Sequence, residues 1–255
     1  MHNSKTRFSN RVENYIRYRP SYPKQIVLDL EMNDLLHKNA VIADVGSGTG
    51  ISTEVFLSQG YHCIGVEPNQ AMREGAERQL AQFSEFVSVN GSAEATTLES
   101  ESIDLIIAGQ AFHWFDQAAA KFEFQRILRP GKSVALIWNE RNHGGTAFQA
   151  GYEDLLKQFC NDYDQVDYKR VDTEALKQFF SPYPYSTYEY SNKQHFDFEG
   201  LKGRLLSSSY CPVEGEPNYE PVMNGLSDLF HSHQTDGQIT FDYNTRVYVG
   251  QLTEV

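Results

Sequence analysis

Between residues 40 and 138 the chain alternates two textures. Short apolar runs stand at 41–45, 63–66, 86–89, 103–108 and 133–138, and longer stretches of mixed polarity, such as 70–83 and 117–128, separate them. Apolar runs without polar alternation predict strands buried on both faces. Alternation with helices predicts βαβ units with right-handed crossovers, hence a parallel sheet covered on both sides. The "RPG" at 129–131 reads as a stop and turn ahead of the fifth strand.

The flanks behave differently. Upstream, 23–37 reads as an amphipathic helix opened by Pro23, preceded by "VENYIRYRPSYP". Downstream, 147–160 and 172–180 read as polar helices of an inserted lid. "YSTYEYSNKQHFDF" and "FDYNTRVYVGQL" then alternate with period two, with helical stretches near 199–209 and 221–231 between them. A strand–helix–strand tail would bring the sheet to seven strands. The expectation is one doubly wound, Rossmann-like α/β domain across 1–255, with an N-terminal helical lid at 1–38 and inserted cap elements within 140–235.

Candidate chemistry begins at "ADVGSGTGIS", directly behind the first strand. Gly46, Gly48 and Gly50 lack the spacing of a dinucleotide fingerprint, because Ile51 stands where its third glycine belongs. No Lys follows to complete a phosphate loop. What remains is D-x-G-x-G-x-G, with Asp44 at the strand end beside a backbone that a bulky ligand can approach closely. Such an acid suits a zwitterionic or cationic ligand.

Glu67 ends the second strand, 21 positions after Gly46. A carboxylate there accepts hydrogen bonds from both ribose hydroxyls. "GSAE" follows the third strand, where the backbone and side chain of Glu94 would read an adenine edge. The fourth strand delivers "GQAFHWF" to the same sheet edge, where ligands sit in doubly wound folds.

Composition narrows the partners. Charged residues make up 22% of the 255 and the formal charge is -12, with no basic run to offset it, so nucleic acid and anionic membranes are poor partners. Cys63, Cys160 and Cys211 form no CxxC pair and support neither a zinc knuckle nor a disulfide framework. The absence of a signal-like or membrane-length apolar run favours a cytoplasmic setting. His231 and His233 read as part of a solvated loop without metal-ligand partners.

Taken together, "RFSNRVENYIRYRPSYP", "VIADVGSGTG", "GVEPNQAM", "GSAEATTL", "QAFHWFD", "ILRPGKSVALIWNERN" and "TRVYVGQL" make residues 7–255 resemble class I S-adenosylmethionine-dependent methyltransferases. Within that superfamily the chain is most similar to the small-molecule branch that includes trans-aconitate methyltransferase. The resemblance implies that Asp44 and the backbone of Gly46, Ser47, Gly48 and Gly50 hold the methionine part of S-adenosyl-L-methionine. It places Glu67 on the ribose, Pro68 and Met72 beside the adenine, and Ala93 and Glu94 at its edge. Gln110 and Ala111 would approach the sulfonium. Tyr15, Tyr18 and Arg19 would form a lid, with Arg19 on the cofactor carboxylate.

The implied function is methyl transfer to a small acceptor bearing a carboxylate or hydroxyl, by a monomer or homodimer. A catalytically silent cofactor-binding sensor is the alternative. A hydroxyl acceptor would need a base, for which His113 is the candidate; Arg141 and Arg204 are candidates for an acceptor carboxylate.

Overall fold

The computed structural model describes residues 11–142, 145–160, 163 and 172–254. Its frame is a seven-stranded sheet. In chain order the strands are β1 (Val41–Val45), β2 (His62–Val66), β3 (Phe86–Val89), β4 (Ile103–Gly109), β5 (Leu128–Arg141), β6 (Tyr185–Phe196) and β7 (Ile239–Gln251). They lie in the order β3-β2-β1-β4-β5-β7-β6, with β1 to β5 parallel and β7 antiparallel to both its neighbours. The unbroken apolar runs of β1 and β4 are what two-sided cover requires, and Ile42, Ala43, Val45, Leu105, Ile106 and Ile107 are all fully buried. Because order reverses between β1 and β4, a crevice opens over their C-terminal ends.

Helices α1 (Val12–Tyr18), α2 (Gln25–Met32), α3 (Ile51–Leu57), α4 (Gln70–Gln79) and α5 (Gln117–Ile127) precede or alternate with the parallel strands. Asn69 and Asp116 start α4 and α5 by accepting N–H groups of Met72 and Ala119. The first helix after Pro23 is shorter than its apolar spacing suggests. It ends at Met32, and Asp34 enters the left-handed region at φ 57°.

"RPG" is not a turn ahead of β5 but an irregularity inside it. Leu128 pairs with Ile103 and Ser133 with Leu105, and Gly131 at φ 72° lets the strand bulge between them. Arg129 holds the bulge by an ion pair with Asp104.

The remaining helices are α6 (Ala147–Phe159), α7 (Thr173–Phe180), α8 (Phe198–Leu206) and α9 (Tyr219–His233). The two stretches expected as one polar lid divide. Leu176, Phe179 and Phe180 of α7 join the sheet core with Phe112, Phe124 and Trp138, so α7 is a layer of the fold. Phe148, Tyr152 and Leu156 of α6 pack instead with α8, α9 and the start of β7 in a separate core. The cap is therefore α6, α8 and α9. His231 and His233 belong to the last turn of α9, not to a loop. No group of metal-ligating side chains stands among the described residues, and no described helix is long and apolar enough to cross a membrane.

Candidate functional site

The crevice above β1 and β4 is roofed by α1 and the cap, enclosing about 290 Å³. Its walls carry Tyr15, Arg19, Gly46, Ser47, Gly48, Glu67, Pro68, Met72, Ala93, Glu94, Gln110, Ala111 and His113. Asp44 and Gly50 stand outside this wall.

The reason lies in the loop itself. Gly46, Gly48 and Gly50 all have positive φ (71°, 57° and 85°), so the chain doubles back before α3. A Cβ on Gly46 would stand 2.7 Å from the Ala111 Cβ, which is why the loop lies so close to the end of β4. The Gly46 and Ser47 N–H groups donate to Val66 O at 2.8 and 3.3 Å, and that of Gly48 to Glu67 Oε2 at 3.0 Å.

Asp44 sits beneath, wholly buried. Its Oδ2 accepts the hydroxyls of Ser52 (2.6 Å) and Thr53 (2.7 Å), stitching β1 to α3, while its Oδ1 is buried without a hydrogen-bond partner among the described residues. Burial raises its pKa to about 6 against the pull of those two hydroxyls. Asp44 lies off the cavity wall, beneath the loop it anchors. Gly50 is the N-cap of α3, turned away from the crevice.

Glu67 does face the crevice. Its Oε1 accepts the Asn69 N–H at 2.8 Å while Oε2 takes Gly48. Burial pushes its pKa up, opposed by those N–H groups and by Arg73. Arg73 in turn binds the carbonyls of Glu67 (2.8 Å) and Pro68 (2.9 Å), fixing the strand end. Across the crevice, Ser92 and Ala95 exchange backbone hydrogen bonds (3.1 and 3.2 Å), which presents Ala93 and Glu94 on a tight turn. Glu94 Oε1 also accepts the Asp116 N–H at 2.9 Å.

Gln110 is held at φ 53°, its N–H on Ile137 O (2.8 Å) and its side chain on Asn139 O (3.0 Å). A non-glycine residue in that region carries strain that the two bonds offset. It aims Ala111, and His113 and Trp114 of the 3-10 turn Phe112–Trp114, into the crevice.

His113, on that turn, has its pKa lowered to about 4 by burial. The imidazole is therefore neutral near pH 7. The shift also sets a sign. An unfolded imidazole titrates near 6.5 and the folded one near 4, so the stability it contributes is complete above 6.5 and lost as pH falls through 4. Urea unfolding at pH 7.5 and pH 5 should show the wild-type midpoint dropping more than that of His113→Gln; equal drops would contradict the assignment.

The roof combines two distant segments. Arg11 donates to the carbonyls of Leu206, Ser208 and Cys211 at 2.7–2.8 Å. Arg19 donates to Ser207 O (3.0 Å) and lies 4.9 Å from the Tyr15 ring centre. Its Nε has no hydrogen-bond partner among the described residues. Tyr18, expected beside them in the lid, packs against the cap core instead.

The far end of the cavity was largely hidden in the sequence. Tyr163, Tyr210, Tyr243, Asn139 and Ser209 join Arg141 and Arg204 on its wall. Arg141 Nη2 donates to the Tyr163 hydroxyl (2.7 Å) and to Glu153 Oε2 (3.4 Å), with its guanidinium 5.2 Å from the Tyr152 ring centre. Its Nη1 is buried without a hydrogen-bond partner among the described residues. Arg204, 5% exposed, reaches Tyr243 Oη (3.4 Å) and Ser208 Oγ (3.3 Å). Only the two arginines carried a signal; tyrosines spread along a chain this rich in them do not stand out.

Comparison with known proteins decides what this crevice belongs to. The family model described as "Methyltransferase domain" matches residues 43–136, the span from Asp44 to the bulged fifth strand. Residues 43–136 thus resemble a methyltransferase domain. The methyltransferase Rv3342 of Mycobacterium tuberculosis is 35% identical over 137 residues, covering 53% of either chain. A methyltransferase of Schizosaccharomyces pombe, C25B8.09, is 34% identical over the same shares. The chain thus spans about half the length of the curated relatives it matches. Among solved structures, one from Anaeromyxobacter dehalogenans titled as a type II methyltransferase superposes with a TM-score of 0.68 at 19% identity, over 93% of this chain and all of that one. Phosphoethanolamine N-methyltransferase 2 of Haemonchus contortus, solved with S-adenosyl-L-methionine, gives 0.57 at 14% identity, over 99% of this chain and 59% of that one. These structural likenesses show that the methyltransferase fold extends through β6 and β7.

Proposed function

We propose that the whole chain is an S-adenosylmethionine-dependent methyltransferase whose acceptor is a small anionic metabolite, methylated on a carboxylate. The observation that carries the acceptor class is Arg141, whose buried Nη1 has no hydrogen-bond partner among the described residues, on the cavity wall beside Arg204. A guanidinium N–H left without a partner in a buried site is costly. An acceptor carboxylate satisfies it by a fork of two hydrogen bonds.

The cofactor end fits the same reading. Glu67 supplies the acid for the ribose, Ala93 and Glu94 the adenine edge, Pro68 and Met72 its flanks. Ser47 and the backbone at Gly46 and Gly48 line the methionine end, roofed by Tyr15, with Arg19 on its carboxylate. Gln110 and Ala111 stand where that end meets the acceptor. S-adenosylmethionine supplies an activated methyl on a sulfonium. Arg141 and Arg204 orient the acceptor so that one ionised oxygen lies in line with that methyl. The oxygen forms the new O–CH₃ bond as the S–CH₃ bond breaks, giving a methyl ester and the neutral thioether. No proton is removed, which agrees with a His113 that stays neutral. The acidic balance supports a metabolite over nucleic acid, and a cytoplasmic monomer or homodimer fits this reading.

The test is transfer of labelled methyl from S-adenosylmethionine to a panel of small mono-, di- and tricarboxylic acids. Base-labile product is expected, and Arg141→Met should abolish it while cofactor affinity stays within about threefold. Cofactor binding without transfer to any acid, by a chain that methylates amines or alcohols, would overturn the carboxylate reading. Binding with no transfer at all would favour the silent sensor.

A further inference from the structure

The turn that presents Ala93 and Glu94 is pegged from outside the cavity. Thr96, fully buried, donates its backbone N–H at 2.8 Å and its hydroxyl at 2.5 Å to Oε1 of Glu123 on α5. Glu123 is 7% exposed and contributes nothing to the crevice wall. One turn along the helix, Arg126 grips both its oxygens, Nε to Oε2 and Nη2 to Oε1, each at 2.8 Å. The same guanidinium reaches Leu98 O at 2.8 Å and Ser100 Oγ at 3.1 Å.

The segment from Ser92 to Ser100 therefore has a ligand-facing end and a pegged end. Within the pegged end, between Thr96 and Leu98, Thr97 adopts φ 66°, a conformation a β-branched residue avoids unless its neighbours impose it. Burial alone would raise the Glu123 pKa; Arg126 and Thr96 outweigh it and bring it to about 2. The peg is thus a charged acceptor over the whole working pH range, and charge-assisted bonds of this kind are short and stiff.

We propose that Glu123 is a positioning residue for the cofactor: through Thr96 it sets where Ala93 and Glu94 stand, and so how sharply the site selects adenine from other bases. It rests on the placement of the adenine at that turn. A peg with a merely structural role would cost stability when removed and leave base selection alone. A positioning role moves selection itself, because a reading edge displaced by a fraction of an ångström no longer matches the donor and acceptor of one base.

The experiment is calorimetric titration of S-adenosylhomocysteine and S-inosylhomocysteine, whose base carries a carbonyl in place of the exocyclic amine. The wild-type chain is compared with Glu123→Gln, Thr96→Val and Thr96→Ser. Wild type should prefer the adenine ligand by about tenfold or more. Glu123→Gln should bind it about tenfold more weakly and Thr96→Val about threefold, each with most of the preference gone. Thr96→Ser keeps both donors and should restore the wild-type preference. Should Glu123→Gln fail to fold, Thr96→Val carries the test alone. Unchanged base preference in the folded variants, with lowered melting temperature, would overturn the proposal while leaving the cofactor reading intact. A wild-type chain that binds neither ligand would overturn both.

Discussion

Replacing Glu67 by Gln should weaken S-adenosylhomocysteine binding by about 100-fold or more, in a chain that still folds. The carboxylate does two things at once. It accepts the N–H groups of Gly48 and Asn69, and its exposed lone pairs meet the crevice, where ribose hydroxyls would donate to them. An amide cannot do both. Whichever way it turns, its NH₂ faces a backbone N–H, donor against donor, and the glycine loop is pushed from the β2 end. Two bonds to a charged acceptor are lost in the complex, each worth about 1.5–3 kcal/mol. The melting temperature should fall by only about 2–4 °C per kcal/mol of strain in a domain of this size. Because burial raises the Glu67 pKa, wild-type affinity should also decline as pH is lowered into the carboxyl range, and the variant should lack that decline. Affinity within threefold of wild type would remove Glu67 from the site.

The second large effect is expected at Gly203. Here α8 passes so close to α1 that a Cβ would stand 2.0 Å from the Tyr18 ring. Gly203→Ala should drive the arm off the cap, since overpacking of this kind costs about 1–3 kcal/mol and the easiest part to move is the one with least core. Arg11 and Arg19 would then lose the carbonyls at 206–208 and 211. Hydrogen exchange should accelerate over residues 11–22 and over 204–211, with β1 and β4 unchanged. Cofactor affinity should drop about tenfold or more if Tyr15 and Arg19 are a working roof. Unaltered exchange in both segments would show that the contact is not what holds the arm.

The parallel half of the fold was legible because two-sided burial leaves an unmistakable apolar run at β1, β2 and β4. The C-terminal strands showed their period of two for the complementary reason: β6 has one face largely in solvent. Other features escaped for reasons equally physical. A Pro-Gly inside a strand looks the same as a turn until its pairing partner is known. The helix now numbered α7 is polar at half its positions, and its three buried side chains mark no tertiary address. That Asp44 also ties β1 to α3 was hidden, because Ser52 and Thr53 stand eight and nine positions on and reach its Oδ2 only once the glycine loop doubles back. Glu67, by contrast, sits at a strand end with no such neighbours. The acceptor end was least legible. Its wall comes from β5, Tyr163, α8 with the loop after it, and β7, so its residues meet only once the chain has closed.

That closing has an order imposed by topology. Strand β6 touches the sheet through β7 alone, yet β7 is synthesised after it, with α8 and α9 in between. On a translating ribosome the parallel half can assemble as it emerges, while β6 waits with an unsatisfied edge. Only when β7 arrives between β5 and β6 does that edge gain its ladder partner, and in the same event Tyr243 reaches the acceptor wall. Maturation of the binding pocket and completion of the sheet are thus one late step, and the interval before it is when this chain has most need of a chaperone.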